Sequence, residues 1–294
     1  MTNKIDLHMH SKYSLDGEKT VQELIDIAKN SQIETIAIAD HNSTLAYRDI
    51  PKNPGIEIIP AIEVDCTFHD KDFHILGYYI DPFNPVWDTI RESVSNMEKE
   101  SGLKRLEIIT KDMGIYVDMD KLKELRPNGV YEAESVCEVA LQMPENDDNP
   151  YLKEFRPGQK HGISPYVDFF WEYCAKGKMA YSPMEFMPME EIIKIFRSQG
   201  ALISLAHPGN NVKEDDQLLE DIIALGIDGL EVYSSYHKPE QIEYYKQAAL
   251  KHNLIMTAGS DFHGKTKPHI HMGDCQMPKE TEDKLFDIIR NKKY

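Results

Sequence analysis

The chain has 294 residues, 41% hydrophobic and 28% charged, enough for one large domain or a barrel-sized domain carrying an insertion. Its formal net charge of −17 argues against a protein that wraps a nucleic-acid duplex, although bound divalent cations would still admit a small phosphorylated molecule. No apolar run approaches the roughly 20 residues of a membrane span, "MTNKID" lacks the apolar stretch of a signal peptide, and Cys66, Cys137, Cys174 and Cys275 form no CxxC pair, so a reduced, cytoplasmic protein without a disulfide framework is expected.

In chain order, "KIDLHMH" reads as a first strand. A helix follows in "TVQELIDIAKNSQ", with Thr20 as N-cap and Glu23 completing a capping box. "ETIAIADH" is a second strand, and in "GIEIIPAIEVD" Pro60 demotes the centre to a bulge or edge. The link from there to "FHILGYYI" is too short for a parallel crossover, so a hairpin is expected. From about Asp81 to Pro188 the pattern turns helical and charged, with "MPENDDNPYLKEFRPGQKHGISP" as an exposed loop. Alternation then resumes: helices in "MEEIIKIFRSQG", "DQLLEDIIALG", "PEQIEYYKQAALKHN" and "ETEDKLFDIIRN" flank strands in "ALISLAHPG", "GLEVYSS" and "IMTAGSDFHG". Gly200, Gly226 and Gly273 sit where elements stop. The pattern implies an α/β fold with a mostly parallel sheet, and some seven strands suit a barrel at 1–80 and 189–294 interrupted by a helical insertion and capping domain at 81–188. No GxGxxG or P-loop supports an open doubly wound sheet.

Reactive residues of α/β barrels sit at the C-terminal strand ends, and here those ends carry histidines and carboxylates. The first run ends in His8 and His10 with Asp16 after it, the second in Asp40 and His41, and the third near Glu63, beside which the hairpin returns His74. The later runs end in His207, before His237, and in Asp261 and His263. His8 and His10 share one side of a strand because the side-chain period is two, as do Asp261 and His263. Imidazole with carboxylate favours Mn, Zn or Fe over an all-oxygen site. The donors exceed the needs of one ion, so two or three divalent ions sharing a bridging carboxylate are expected, an arrangement that clamps a phosphoryl group. One HxH alone is weak: a second, His269 with His271 in "PHIH", lies in a loop and reads as solvated, as do His69, His161 and His252.

The stretches "DLHMHSKYSLDG", "IADHN", Glu63 followed by "FHILGYY", "LAHPG" and "GSDFHG" together resemble the motifs of the PHP (polymerase and histidinol phosphatase) superfamily, nearest to its stand-alone phosphoesterases acting on AMP and nucleoside 3′,5′-bisphosphates. The resemblance implies a distorted (β/α)7 TIM-like barrel with a trinuclear metal centre. It implies His8, His10, Glu63 and Asp261 on one ion, Glu63, His74 and His207 on a second, and Asp16, His41 and His263 on a third. Asp40 would then be a carboxylate partner of a ligand or a nearby acid, a metal-bridging hydroxide the nucleophile, and His237 a phosphate contact or proton donor. The insert departs from its relatives: "RPNGVYEAESVCEVAL" stands where a "GRPH"-like signature is usual. "KGKMAYSP" does match a "KGxxAYxP" pattern, making Lys178 a phosphate-binding candidate, with Arg105 and Arg126 as further ones.

The expected activity is a metal-dependent phosphohydrolase acting on a small phosphomonoester, with a nucleotide first among the substrates. Histidinol phosphate and similar phosphates, 5′-3′ trimming of short oligonucleotides, and a non-catalytic metal-binding regulatory domain are the alternatives. Long nucleic acid and membranes are not expected partners, and neither metal identity nor oligomeric state is legible.

Overall fold

The computed structural model describes residues 3–292. It divides into two compact units, the first made of the residues up to Asp88, Phe186–Gly264 and the segment from His269 onward, the second of Thr89–Glu185 with Lys265–Pro268.

The first unit is a mixed α/β fold whose strands form two sheets. Strands β1 (Ile5–Met9), β2 (Thr35–Ile38) and β3 (Glu57–Ile58) pair in that order, all parallel. Strands β4 (Ala61–Phe68), β5 (Lys71–Tyr78), β6 (Leu202–Leu205), β7 (Gly229–Ser234) and β8 (Ile255–Gly259) form the second sheet, again in chain order. The short link after β4 makes a hairpin, so β5 runs against both β4 and β6, while β6, β7 and β8 are parallel. Isolated parallel bridges at Met9–Phe262 and His41–Glu63 link the two sheets. Pro60, with no amide hydrogen to donate, separates β3 from β4 and leaves β3 two residues long.

Helix α1 (Val21–Asn30) shows how the sequence builds this unit. The Thr20 hydroxyl accepts from Glu23 N at 3.2 Å and Thr20 N donates to Glu23 Oε2 at 2.8 Å, closing the capping box. Val21, Leu24, Ile25 and Ala28 recur at helical spacing and are buried with Met9, Ile36 and Ile38; each large apolar side chain removed from water contributes about 1.5–3 kcal/mol. Every residue of β1 is buried. Since side chains alternate along a strand, Ile5, Leu7 and Met9 take one face and Asp6, His8 and, one step beyond the strand, His10 take the other. A fully buried polar face is an uncommon use of strand burial, and it points to a site.

Helix α2 (Pro85–Lys111) starts in the first unit and continues into the second. The division falls later than the expected residue 81 because Trp87 stays with the first unit, its ring 5.5 Å from that of Phe196. The second unit continues with α3 (Met119–Leu125), α4 (Ala133–Leu141) and α5 (Pro165–Phe169), which runs into a π turn at Phe170–Cys174. It has no strand among the described residues. Leu106, Ile109, Leu122, Val136, Phe155 and Phe169 are buried in its core. The stretch 143–165, expected as an exposed loop, in fact sends Leu152 and Phe155 into that core, and the buried Asn146 donates through Nδ2 to Tyr116 O and Ala140 O. Isolated apolar anchors in a polar stretch have no period to reveal them.

Helices α6 (Met189–Ser198), α7 (Pro208–Asn211), α8 (Asp216–Ala224), α9 (Pro239–His252) and α10 (Lys279–Asn291) return to the first unit. Gly200 and Gly226, at φ 67° and 90°, terminate α6 and α8 in the left-handed region that glycine enters without penalty.

Candidate metal centre

The buried polar faces and the loops beyond the strands supply one cluster of donors. His8 lies in β1, with His10 and Asp16 just after it; His41 follows β2; Glu63 and Asp65 share β4, with His74 of β5 opposite Asp65 in the hairpin register; His207 follows β6, and Asp261 and His263 follow β8. Four groups have one donor atom per residue within 4.8 Å of one another: His8, His10, Glu63 and Asp261; Glu63, His74 and His207; His10, Asp16, His41 and His263; and His41, Asp65 and His74. All the residues proposed as ligands from sequence are thus brought together, and Asp65 joins them.

Glu63 is the hub. Its Oε2 is 3.0 Å from His8 Nε2 and 3.3 Å from both His10 Nε2 and His41 Nδ1, yet it makes no hydrogen bond. Its Oε1 is 3.0 Å from His74 Nδ1 and 3.1 Å from His207 Nε2. Asp261 Oδ1 is 2.9 Å from His10 Nε2 and 3.3 Å from His8 Nε2, and Asp16 Oδ2 is 2.9 Å from His263 Nε2. The His8 and His10 Nε2 atoms face each other at 3.2 Å. Buried polar atoms normally find partners. A carboxylate oxygen with no hydrogen bond, ringed by imidazole nitrogens aimed at common points, fits cations between the donors, and nitrogen with carboxylate oxygen suits Mn, Zn or Fe. Side-chain exposure is graded across the cluster: His8, His10, Glu63 and His263 are at 0%, whereas Asp16 at 25% and His74 at 29% mark the side open to solvent.

The charges suit ligation. Burial pushes the Glu63 carboxyl up, but His8, His41 and His74 more than reverse this and hold it well below the usual carboxylate range. Asp16 is likewise held well below its ordinary value, burial being outweighed first by His263. Burial and then the neighbouring His263 bring His10 down to about 4, so at neutral pH its imidazole keeps a lone pair. Ionised carboxylates and neutral imidazoles are the forms that bind metal. At His8, His41 and His74 burial is outweighed by Glu63 and its neighbouring carboxylates, which hold these imidazoles above their ordinary value, so cations would enter there by displacing protons.

A further layer holds these donors. Glu231, fully buried in β7, lies 3.0 Å through Oε1 from His8 Nδ1, and its Oε2 accepts from His207 N at 2.7 Å. It fixes the orientation of the His8 ring, as carboxylates do for imidazoles that bind metal. Tyr236 donates to Asp261 Oδ2 at 2.6 Å, Ser14 Oγ lies 3.1 Å from His10 Nδ1, and His263 Nδ1 lies 2.8 Å from the Asp261 carbonyl. Gly259 makes room for the arrangement, since a Cβ there would fall 2.1 Å from His8 Cβ and 2.4 Å from Glu231 Oε1. His207 and Asp261 take φ values of 25° and 55°, left-handed conformations costing roughly 1–3 kcal/mol each that cluster at functional sites. Sequence reasoning passed over Glu231 and Asp65. An acid inside an apolar strand was the signal for the first, and the i, i+2 spacing from Glu63 the signal for the second.

The other candidate residues are placed as follows. Asp40 holds no imidazole: it accepts from Ser11 N at 2.6 Å and Ser11 Oγ at 2.7 Å, tying the loop after β1, and burial lifts it to about 6. His237 is no proton donor to a phosphate, because its Nδ1 lies 2.9 Å from Val232 O and its Nε2 accepts from Gly209 N at 2.9 Å, so both ring nitrogens serve the backbone. Its ring stacks on Tyr245. In the second unit Arg126 is held by Ser135 Oγ at 2.7 Å and Glu132 Oε2 at 2.9 Å; Arg105 is buried and donates to Ser101 Oγ; Lys178 is exposed. His161 is not simply solvated: it lies 3.0 Å from Asp168 and stacks on Phe155. His269 and His271 are exposed.

A family model described as the PHP domain matches residues 6–140, the part of the chain that supplies His8, His10, Asp16, His41, Glu63 and His74. Over those residues the chain is similar to the PHP domain. With the relatives below, this similarity supports a metal-dependent hydrolase. Relatives at similar distance span nearly the whole chain. A phosphoribosyl 1,2-cyclic phosphate 1,2-diphosphodiesterase of Eggerthella lenta is 23% identical, over 91% of this chain and 97% of its own. The 5′-3′ exoribonuclease Rnm of Escherichia coli is 26% identical, over 91% and 87%. A 3′,5′-nucleoside bisphosphate phosphatase of Chromobacterium violaceum is 26% identical, over 88% and 87%. Among solved structures, a candidate metal-dependent phosphoesterase from Bifidobacterium adolescentis superposes with a TM-score of 0.72 at 24% identity, over 96% of this chain and 95% of its own, a likeness of fold. Among the described residues, no helix is long and apolar enough to cross a membrane.

Proposed function

We propose that the protein releases phosphate from a small phosphomonoester, with AMP or a nucleoside 3′,5′-bisphosphate as the substrate class. The carrying observation is the convergence of imidazole and carboxylate donors on Glu63, which suits two or three divalent ions able to clamp a phosphoryl group. Ions held there would neutralise the phosphoryl oxygens and make water acidic enough to attack at neutral pH. The chain's own residues do the rest. Glu63 bridges the donor groups, Glu231 and Tyr236 hold His8 and Asp261 in place, and the more exposed side near Asp16 and His74 is where a phosphate would enter.

Three relatives whose names share a phosphate ester on a phosphoribosyl, nucleoside or ribonucleic acid unit support a nucleotide over histidinol phosphate. The fold is proposed to be a distorted (β/α)7 barrel, a reading supported by the Met9–Phe262 and His41–Glu63 bridges.

The test is phosphate release from AMP, adenosine 3′,5′-bisphosphate, histidinol phosphate and a dinucleotide, with Mn²⁺ and again after chelation. Release from AMP or the bisphosphate that stops on chelation is expected. Cleavage of the dinucleotide ahead of both would replace this reading with exonucleolytic trimming, the activity named for the Escherichia coli relative.

A further inference from the structure

We infer that Asp65 is a positioning residue of the metal centre, its Oδ1 receiving the outward N–H of two imidazoles, His41 and His74, and so fixing which ring nitrogen each leaves for an ion. The inference rests on the metal-centre reading and extends it to a residue outside the ligand set assigned above.

Asp65 is two residues beyond Glu63 on β4 and therefore on the same side of the strand. Its Oδ1 lies 3.2 Å from His41 Nδ1 and 3.3 Å from His74 Nε2. Both Asp65 Oδ1 and His41 Nδ1 are buried and take part in no hydrogen bond as they stand, and of the two unpartnered carboxylate oxygens beside Nδ1, Asp65 Oδ1 at 3.2 Å is the nearer and Glu63 Oε2 lies at 3.3 Å. The carboxylate is clamped from behind: Asn42 Nδ2 donates to Asp65 Oδ2 at 2.7 Å, and Asp65 N donates to Asn42 Oδ1 at 3.0 Å.

A neutral imidazole has one N–H and one lone pair. His74 turns Nδ1 towards Glu63 Oε1 at 3.0 Å and Nε2 towards Asp65. His41 turns Nδ1 towards Asp65, which leaves Nε2 for the group with His10, Asp16 and His263. If Asp65, His41 and His74 held an ion of their own, it would take the same rings' lone pairs. The groups around Asp16 and around Glu63 with His207 would then each lose an imidazole. With Asp65 as the acceptor both groups stay complete. One carboxylate oxygen then sets the tautomer of a ligand in each of two groups.

The clamp also predicts what Asp65→Asn does. Asn42 presents its Nδ2–H to this side chain, so the new amide turns its oxygen to Asn42 and its NH2 to the two imidazoles, putting a donor where an acceptor is required.

The measurement is zinc titration of the full chain with counting of bound ions, alongside two-bond ¹⁵N–¹H correlation spectra of the zinc-loaded protein with labelled histidines. In the wild type His41 is expected protonated at Nδ1 and His74 at Nε2. Asp65→Asn is expected to bind as many zinc ions at saturation, with affinity lowered about 10–100-fold for those held by His41 and His74, and to lose the two tautomer signatures. Melting of the metal-free chain is the folding control, and Asn42→Ala, which loosens the clamp, should shift affinity the same way by less. Loss of one ion from the saturated count would make Asp65 a ligand and overturn the positioning role. Unchanged tautomers and affinities in the variant would overturn it as well. A wild-type chain that takes up no zinc would overturn the metal centre itself, a failure visible before any variant is made.

Discussion

His10 and Asp261 touch across 2.9 Å in the most deeply buried of the donor groups. Alanine at either position removes a donor that no neighbour can replace, since the others are already directed at their own groups. His10→Ala and Asp261→Ala should each abolish turnover and reduce bound metal, read by phosphate release and by elemental counting of the purified protein. His269→Ala should change neither, because that histidine is exposed and belongs to none of the donor groups. If His269→Ala lost metal as His10→Ala does, the distinction between the two HxH pairs would be wrong. That distinction was readable from position along the chain: His8 and His10 close an apolar strand, whereas His269 and His271 follow Lys267 and Pro268 in a loop.

Among the elements, those with a clean period were legible and those without were not. The apolar stripe of α1 and its Thr20–Glu23 capping box follow from local rules alone. Thr20→Ala removes the hydroxyl that accepts from Glu23 N, and should lower stability by about 1 kcal/mol with activity per folded molecule unchanged. Urea titration beside a rate assay checks both halves, and a fall in rate without a fall in stability would tie this cap to the site. The β4–β5 hairpin was equally legible, because a short connection permits nothing else. It sets His74 opposite Asp65. The role of His237 was not legible, since a strand-end histidine looks the same in sequence whether it faces a ligand or holds the backbone at Gly209 and Val232.

At the scale of the whole molecule, the centre gathers donors from residues 8 to 263 of the chain. Such a site makes folding and metal binding one equilibrium. The cluster holds imidazoles and ionised carboxylates close together in a buried space, an arrangement that bound cations would stabilise. Ions at a hundredfold excess over their dissociation constant stabilise the native state by about 2.7 kcal/mol per site. Chelation should therefore lower the melting temperature, and restoring Mn²⁺ should recover it; calorimetry with and without chelator is the check. A melting temperature indifferent to chelation would mean that no cation binds the native cluster.

Local rules in the sequence determined the alternation of strands and helices, the hairpin, the caps and the kind of donor at each strand end, because these depend on periodicity, connection length and side-chain chemistry within a few residues. The resemblance of its motifs to a known family determined which donors to group. Only the tertiary structure decided that Glu63 is the hub, that Glu231 and Asp65 stand behind the imidazoles, and that Asp40 and His237 serve the backbone and the loop after β1. Those roles depend on which atom of a side chain faces which neighbour across contacts as distant as His8 with Glu231, and the order of residues along a chain does not carry that information.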